Sequence, residues 1–263
     1  ELGSRENILK AKLEILDGLK KGSPLFLNGD NDKLSTVKND DYKVIFFGIE
    51  NKNCDILAED IKEIGLSTEF TAVKGEIRQK ITIPTVGIHN VYDALAAFAV
   101  GIEYGISPED IAKGLENYEP SGMRQRIKDA NGITVIEDCY NASPDSQKAG
   151  LNSLCKIAKG RKIAVLGDML ELGAYSETAH RNVGEYAAEC KIDMLFTYGK
   201  ESEFMADSAK NAGLYAVFSF TDKAELTKVL ANELKLGDTV LFKASRGMKL
   251  EEIFEDLYKQ WNV

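Results

Sequence analysis

The chain has 263 residues, 44% hydrophobic and 29% charged, the balance of a folded globular protein rather than a disordered one. Its net charge of −9 argues against a general nucleic-acid binder, whose affinity rests on phosphate neutralisation, but leaves room for a local basic pocket. No stretch approaches the ~18 consecutive apolar residues of a membrane helix, and the charged N-terminus does not read as a signal peptide.

Ser4 is a helix cap, and Arg5 to Lys20 carries Ile8, Leu9, Ile15, Leu16 and Leu19 on one face at helical spacing. Gly22, Ser23 and Pro24 end that helix. Short strands are expected at Leu25 to Leu27 and Val44 to Phe47. Further strand candidates are Cys54 to Ile61, Ser67 to Val73 and Arg78 to Ile83, with Gly65 and Gly75 as turn signals. Val91 to Ile102 is apolar nearly all round, the pattern of a helix buried on most sides. Ser107-Pro108-Glu109-Asp110 opens another helix with a serine cap, proline at the first position and acids in the first turn.

Glu119-Pro120-Ser121-Gly122 reads as a linker, dividing the chain into residues 1–119 and 120–263. Beyond it, strands are expected at Ile133 to Ile136, Ile163 to Leu166, Met194 to Thr197, Ala216 to Phe218 and Thr239 to Phe242. Helices fall between them, beginning near Pro144, Ser176, Ser202 and Asp222, with a last one after Gly247. Asp222 and Glu225 fit a capping box. The expected class is therefore α/β: a C-terminal Rossmann-like, doubly wound, mostly parallel sheet, preceded by an incomplete α/β domain.

Ligands of such a sheet bind beyond the carboxyl ends of its strands. The segments there are Glu137 to Ser143, Gly167 to Gly173, Tyr198 to Lys200 and Lys243 to Met248. Carboxylates and amides in the first suit ribose hydroxyls or a phosphate edge, while Ser143 and Pro144 suit a plain helix start. Lys243 and Arg246 are two cations at a helix start, where the dipole disfavours them, which tips the reading towards a ligand. Gly87-Ile88-His89-Asn90-Val91-Tyr92-Asp93 opens the apolar helix. Its amide and imidazole suit a purine or ribose, but Asn90 as cap and Asp93 as its capping-box partner is the plainer reading.

Lys12 falls ~40° round the wheel from Ile8, between Ile15 at ~−20° and Leu16 at ~80°, inside the apolar stripe. A buried ammonium is costly unless paired or chemically changed, although lysines often snorkel instead. The cysteines, Cys54, Cys139, Cys155 and Cys190, fit no zinc spacing and suggest reduced thiols in the cytoplasm. Two histidines, His89 and His180, exclude a histidine-rich metal site. No Gly-x-x-x-x-Gly-Lys-Ser/Thr occurs, so these residues contain no self-contained P-loop.

Six motifs together resemble the Mur ligases: Leu2-Gly3-Ser4-Arg5-Glu6-Asn7 with Lys10-Ala11-Lys12, Gly-Ile-His-Asn at 87–90, Asp-Cys-Tyr-Asn-Ala-Ser-Pro at 138–144, Leu-Gly-Asp-Met-Leu-Glu-Leu-Gly at 166–173 and Ser-Arg-Gly-Met at 245–248. The resemblance covers essentially the whole chain. It implies the later part of a central ATPase domain over 1–119 and a C-terminal Rossmann-like domain over 120–263, with a substrate-binding domain and the P-loop lying upstream. It also implies a reaction. ATP, with Mg²⁺, phosphorylates the terminal carboxylate of UDP-N-acetylmuramoyl-tripeptide, and the amine of D-alanyl-D-alanine attacks the acyl phosphate. The enzyme implied is cytoplasmic and monomeric, with no nucleic-acid partner and no membrane insertion. The 263 residues alone are expected to be inactive and to bind nucleotide weakly.

Residue roles follow from the same resemblance. Lys12 matches a lysine carried as a carbamate that helps hold magnesium. His89, Asn90 and Asp93 match the segment that contacts adenine, with Asp93 standing where asparagine is usual. A carboxylate there can accept from the adenine amino group but cannot donate to a ring nitrogen. Arg124 matches the arginine near the ribose and phosphates, and Asp138 the carboxylate on the ribose hydroxyls. Asn141, Asp168, Glu171, Ser245 and Arg246 lie on loops that face the incoming dipeptide. Two other readings stand beside this one: a related amide ligase of the same superfamily, such as a folylpolyglutamate synthase, and a non-catalytic nucleotide-fold binding module.

Overall fold

The computed structural model describes residues 4–119 and 122–262, which form two compact units, one ending at Glu119 and one following it. Leu2 and Gly3 of the first motif, and Pro120 and Ser121 of the expected linker, lie outside the described residues.

The first unit begins with α1 (Arg5–Leu13), which continues as a 3₁₀ turn over Glu14–Gly18. Five strands follow: β1 (Pro24–Asn28), β2 (Lys43–Gly48), β3 (Ile56–Ile64), β4 (Ser67–Lys74) and β5 (Ile77–Ile83). They lie side by side in chain order. The pairs β1–β2 and β2–β3 are parallel, while β3–β4 and β4–β5 are antiparallel hairpins. Gly65 and Gly75 make the hairpin turns at φ +62° and +57°, where a side chain would be strained. Helices α2 (Ile88–Glu103) and α3 (Pro108–Glu116) complete the unit. Strand alternation puts Phe70, Ala72, Ile81 and Ile83 on one face, where Val91, Leu95 and Phe98 of α2 close the core.

Two expectations for this unit are corrected. α2 is buried on one face only: Ile88 and Val100 are exposed, because alanines on the outer face make the helix look apolar all round. α1 has no buried residue, and Lys12 is exposed together with Ile8 and Ile15. Wheel geometry places residues relative to one another, but a stripe becomes a buried face only where another element covers it.

The second unit alternates strictly after an opening hairpin, β6 (Arg126–Ala130) and β7 (Ile133–Glu137). There follow α4 (Pro144–Ile157), β8 (Lys162–Gly167), α5 (Ser176–Glu189), β9 (Met194–Tyr198) and α6 (Ser202–Asn211). The chain ends with β10 (Val217–Phe220), α7 (Lys223–Glu233), β11 (Thr239–Lys243) and α8 (Glu251–Trp261). The sheet order is β10-β9-β8-β11-β7-β6, parallel except for β6. Leu151, Leu154, Val183 and Met205 cover one face, and Leu226, Leu230, Ile253 and Leu257 the other. The central strands are therefore buried on both sides, and β11 has no exposed residue. β6 was not expected, since Arg126-Ile127-Lys128-Asp129 lacks a strand pattern. It is an edge strand held through the Asn131-Gly132 turn, and its charges suit an edge.

Candidate functional site

In the second unit the loops after β7, β8 and β11 meet at the carboxyl edge of the sheet. β11 lies between β7 and β8, although those two strands follow one another in the chain, so the strand order switches there. Ser245 ties the three loops together. Its Oγ accepts from the backbone N–H of Leu170 at 2.9 Å and donates to the Ala142 carbonyl at 3.5 Å. Its own N–H donates to the Asp168 carbonyl at 3.2 Å. Asp168 is buried, and its Oδ1 accepts from the N–H of Ser202 at 2.7 Å and from the Ser202 hydroxyl, fixing the start of α6. Ser245 and Asp168 thus hold the loops in shape. Asn141, Glu171 and Arg246 are exposed on them, with Glu171 in the left-handed region at φ +67° and Arg246 donating to Glu251 at 2.6 Å.

Asp138 ends up against Lys243, 105 residues away, at 2.7 Å between Nζ and Oδ2. Lys243 is 3% exposed and Asp138 8%, and the ammonium also donates to the Asn141 carbonyl at 3.2 Å. The expectation that Lys243 is a solvated or ligand-seeking cation is corrected. It closes β11, points inward and is neutralised within the protein. Arg124 is exposed and lies over the exposed ring of Tyr140, 4.0 Å from its centroid. Ser143 caps α4 with a reciprocal capping box to Ser146 and Pro144 at the first position.

In the first unit α2 starts at Ile88, and its N-cap is Gly87 at φ +104°. The expected cap at Asn90 is therefore corrected: Asn90 lies inside the first turn, where its Nδ2 donates to the Val86 carbonyl at 2.8 Å and sits 3.3 Å from His89 Nε2. Gly87 takes the cap position because its conformation disfavours any other residue. Asp93 is exposed one turn further on. Lys12 lies on exposed α1.

Four positioning residues escaped the sequence reading. Asp30, after β1, accepts at Oδ2 from the N–H of Ile49 at 2.6 Å and from the Tyr92 hydroxyl at 2.7 Å, and at Oδ1 from Asn51 N–H at 2.7 Å. It ties α2 to the strand ends. Burial pushes its carboxyl up, but the Ile49, Tyr92, Asn51 and Glu50 donors outweigh that and hold it below the usual value. His180 is fully buried; it accepts at Nε2 from Met169 N–H at 3.0 Å and meets the Ser176 carbonyl through Nδ1 at 2.8 Å. Gln147 donates to the Gly167 carbonyl at 2.9 Å. Tyr92 follows from its bond to Asp30. Their partners are distant in sequence, and the only local signal was Asn28-Gly29-Asp30 at a strand end.

Among the described residues no three or more His, Cys, Asp or Glu side chains are grouped to hold a metal ion. A carbamate on Lys12 would supply one anion only, so these residues do not form a magnesium site by themselves. No helix is long and apolar enough to cross a membrane among the described residues.

Two family models match the chain: the Mur ligase middle domain over residues 1–101 and the Mur ligase, glutamate ligase domain over residues 123–246. The chain is 44% identical over 260 residues to the UDP-N-acetylmuramoyl-tripeptide–D-alanyl-D-alanine ligase of Bacillus subtilis (strain 168), matching 98% of this chain and 56% of that protein. A crystal structure of MurF from Acinetobacter baumannii superposes with a TM-score of 0.85 at 29% identity, covering 98% of this chain and 56% of that one. MurF ligase from Thermotoga maritima in complex with ADP shares the fold, with a TM-score of 0.83 at 24% identity, over 99% of this chain and 59% of that one. The chain spans about half the length of the curated relatives it matches. The two matched models, side by side along nearly all of its length, and the mixed α/β fold on which they fall place this chain in the Mur ligase family.

Proposed function

We propose that this chain is part of an ATP-dependent ligase that joins D-alanyl-D-alanine to UDP-N-acetylmuramoyl-tripeptide. The observation that carries the reading is the 44% identity to the Bacillus subtilis ligase of that name, sustained over 98% of the chain. The ADP held by the Thermotoga maritima neighbour supports a nucleotide as co-substrate. In such a reaction ATP turns a poor leaving group on a carboxylate into a good one, and an amine then displaces phosphate.

Roles for this chain's own residues follow. Asn90 and His89, on the first turn of α2, contact the base, with Asp93 limited to accepting a hydrogen bond. Arg124 neutralises phosphate charge, and Tyr140 beneath it fixes the guanidinium plane. Asp138 faces the ribose with Oδ1, since Oδ2 is taken by Lys243. Asn141, Glu171 and Arg246 meet the dipeptide, on loops that Ser245 and Asp168 hold. Lys12, exposed on α1, would carry the carbamate that supplies one anionic ligand to Mg²⁺.

Growth tests the reading. The 263 residues replace the matching segment of the Bacillus subtilis relative in a strain depleted of its own copy. Rescue is expected. A chimera that is folded and abundant yet fails to rescue, where the parent succeeds, refutes it.

A further inference from the structure

Cys155 and Cys190 lie 35 residues apart in sequence but meet in space. Cys155 sits in the last turn of α4, and Cys190 directly follows α5. The Cys155 thiol donates to the Cys190 carbonyl at 3.4 Å, which brings the two cysteines side by side. Both are free and half-buried, packed on the edge of the core between α4 and α5. Lys162, the first residue of β8, donates to the same Cys190 carbonyl at 3.0 Å and brings a cation to the pair. The other two cysteines are buried, Cys54 in the first unit and Cys139 after β7, at the opposite end of the sheet from β8's first residue.

We propose that Cys155 and Cys190 form a dithiol site that a small-molecule disulfide, such as oxidised glutathione, converts to an intramolecular disulfide joining α4 to α5. Burial and the neighbouring Cys155 thiol push the Cys190 thiol up to about 11, which disfavours it as the first nucleophile. The Cys155 thiolate attacks the external disulfide, forming a mixed disulfide and releasing one thiolate. The Cys190 thiol loses its proton to solvent, attacks the Cys155 sulfur and expels the second thiolate. Two protein thiols are oxidised and one external disulfide is reduced to two thiols, so electrons and protons balance. The new bond lies at the amino edge of the sheet, away from the loops after β7, β8 and β11, and cross-links helices that already pack together.

The 263-residue chain is treated with oxidised glutathione and read by intact mass, peptide mapping and thermal melting. The expected result is a loss of two hydrogens without a retained adduct, a Cys155–Cys190 cross-linked peptide, and a melting temperature about 5–10 °C higher, reversed by dithiothreitol. Cys190→Ser should instead retain glutathione on Cys155 and show no rise. A persistent adduct on the parent chain, no reaction at either cysteine, or the same closure in Cys155→Ser would each overturn the proposal.

Discussion

Replacing Lys243 by methionine removes one half of the ion pair under the carboxyl-edge loops. Lys243 and Asp138 are 3% and 8% exposed, and their polar atoms are 2.7 Å apart. After Lys243→Met, Asp138 keeps one long backbone donor, Gln125 N–H at 3.4 Å, and the Asn141 carbonyl loses its ammonium donor. An uncompensated buried charge of this kind costs about 3–5 kcal/mol. With a urea slope near ~2 kcal/mol/M, the unfolding midpoint should fall by roughly 2 M. The sole tryptophan, Trp261, packs against the core of this unit, so its fluorescence follows the relevant transition. The double variant Asp138→Leu/Lys243→Met should recover to within about 1 kcal/mol of the parent, since both charges leave together. A midpoint shift below ~0.5 M for Lys243→Met would refute the reasoning, because it would mean the pair is already solvated.

Other outcomes follow from the same contacts. A Cβ at Gly184 on α5 would stand 2.1 Å from the Met205 carbonyl oxygen on α6, so Gly184→Ala should lower the Trp261-monitored stability by about 2–3 kcal/mol. Gly114, in open space on α3, should instead gain about 0.5–1 kcal/mol on replacement by alanine, measured by calorimetric melting. Asp30 is held below its ordinary value, so its contribution is present above about pH 4 and fades as the pH falls through its folded value. Hydrogen exchange of α2 amides should show that acid-side loss in the parent and a flatter profile in Asp30→Asn. Lys12→Ala in the Bacillus subtilis chimera should slow turnover about 10–100-fold, with partial rescue by a short carboxylic acid. Near-parental turnover would return Lys12 to a plain surface lysine.

Local rules carried the strand–helix alternation of the second unit, because β7, β8, β9 and β11 are largely buried on both faces and read as short apolar runs, with side-chain caps opening α4 and α7. Ser107, Ser143 and Asp222 cap as their side chains dictate. What local pattern could not carry were contacts between distant residues. Lys243 and Asp138 are 105 positions apart, and Asp30 and Tyr92 are 62 apart. A charge in a sequence looks solvated until its partner is known, which is why Lys243 read as a ligand-binding cation. Asn90 read as a cap because its side chain favours that position, whereas the backbone at Gly87 decides where α2 begins. β6 was hidden because an edge strand needs only one pairing and carries the charges of a loop.

The most direct measurement is steady-state phosphate release by the purified chimera, with ATP, UDP-N-acetylmuramoyl-tripeptide and a panel of amino donors. Release should require the muramoyl tripeptide together with D-alanyl-D-alanine, and the product mass should equal the sum of the two less one water. Release with a single amino acid in place of the dipeptide, or ATP hydrolysis indifferent to any amine, would contradict the assignment of this chain to the dipeptide-adding reaction.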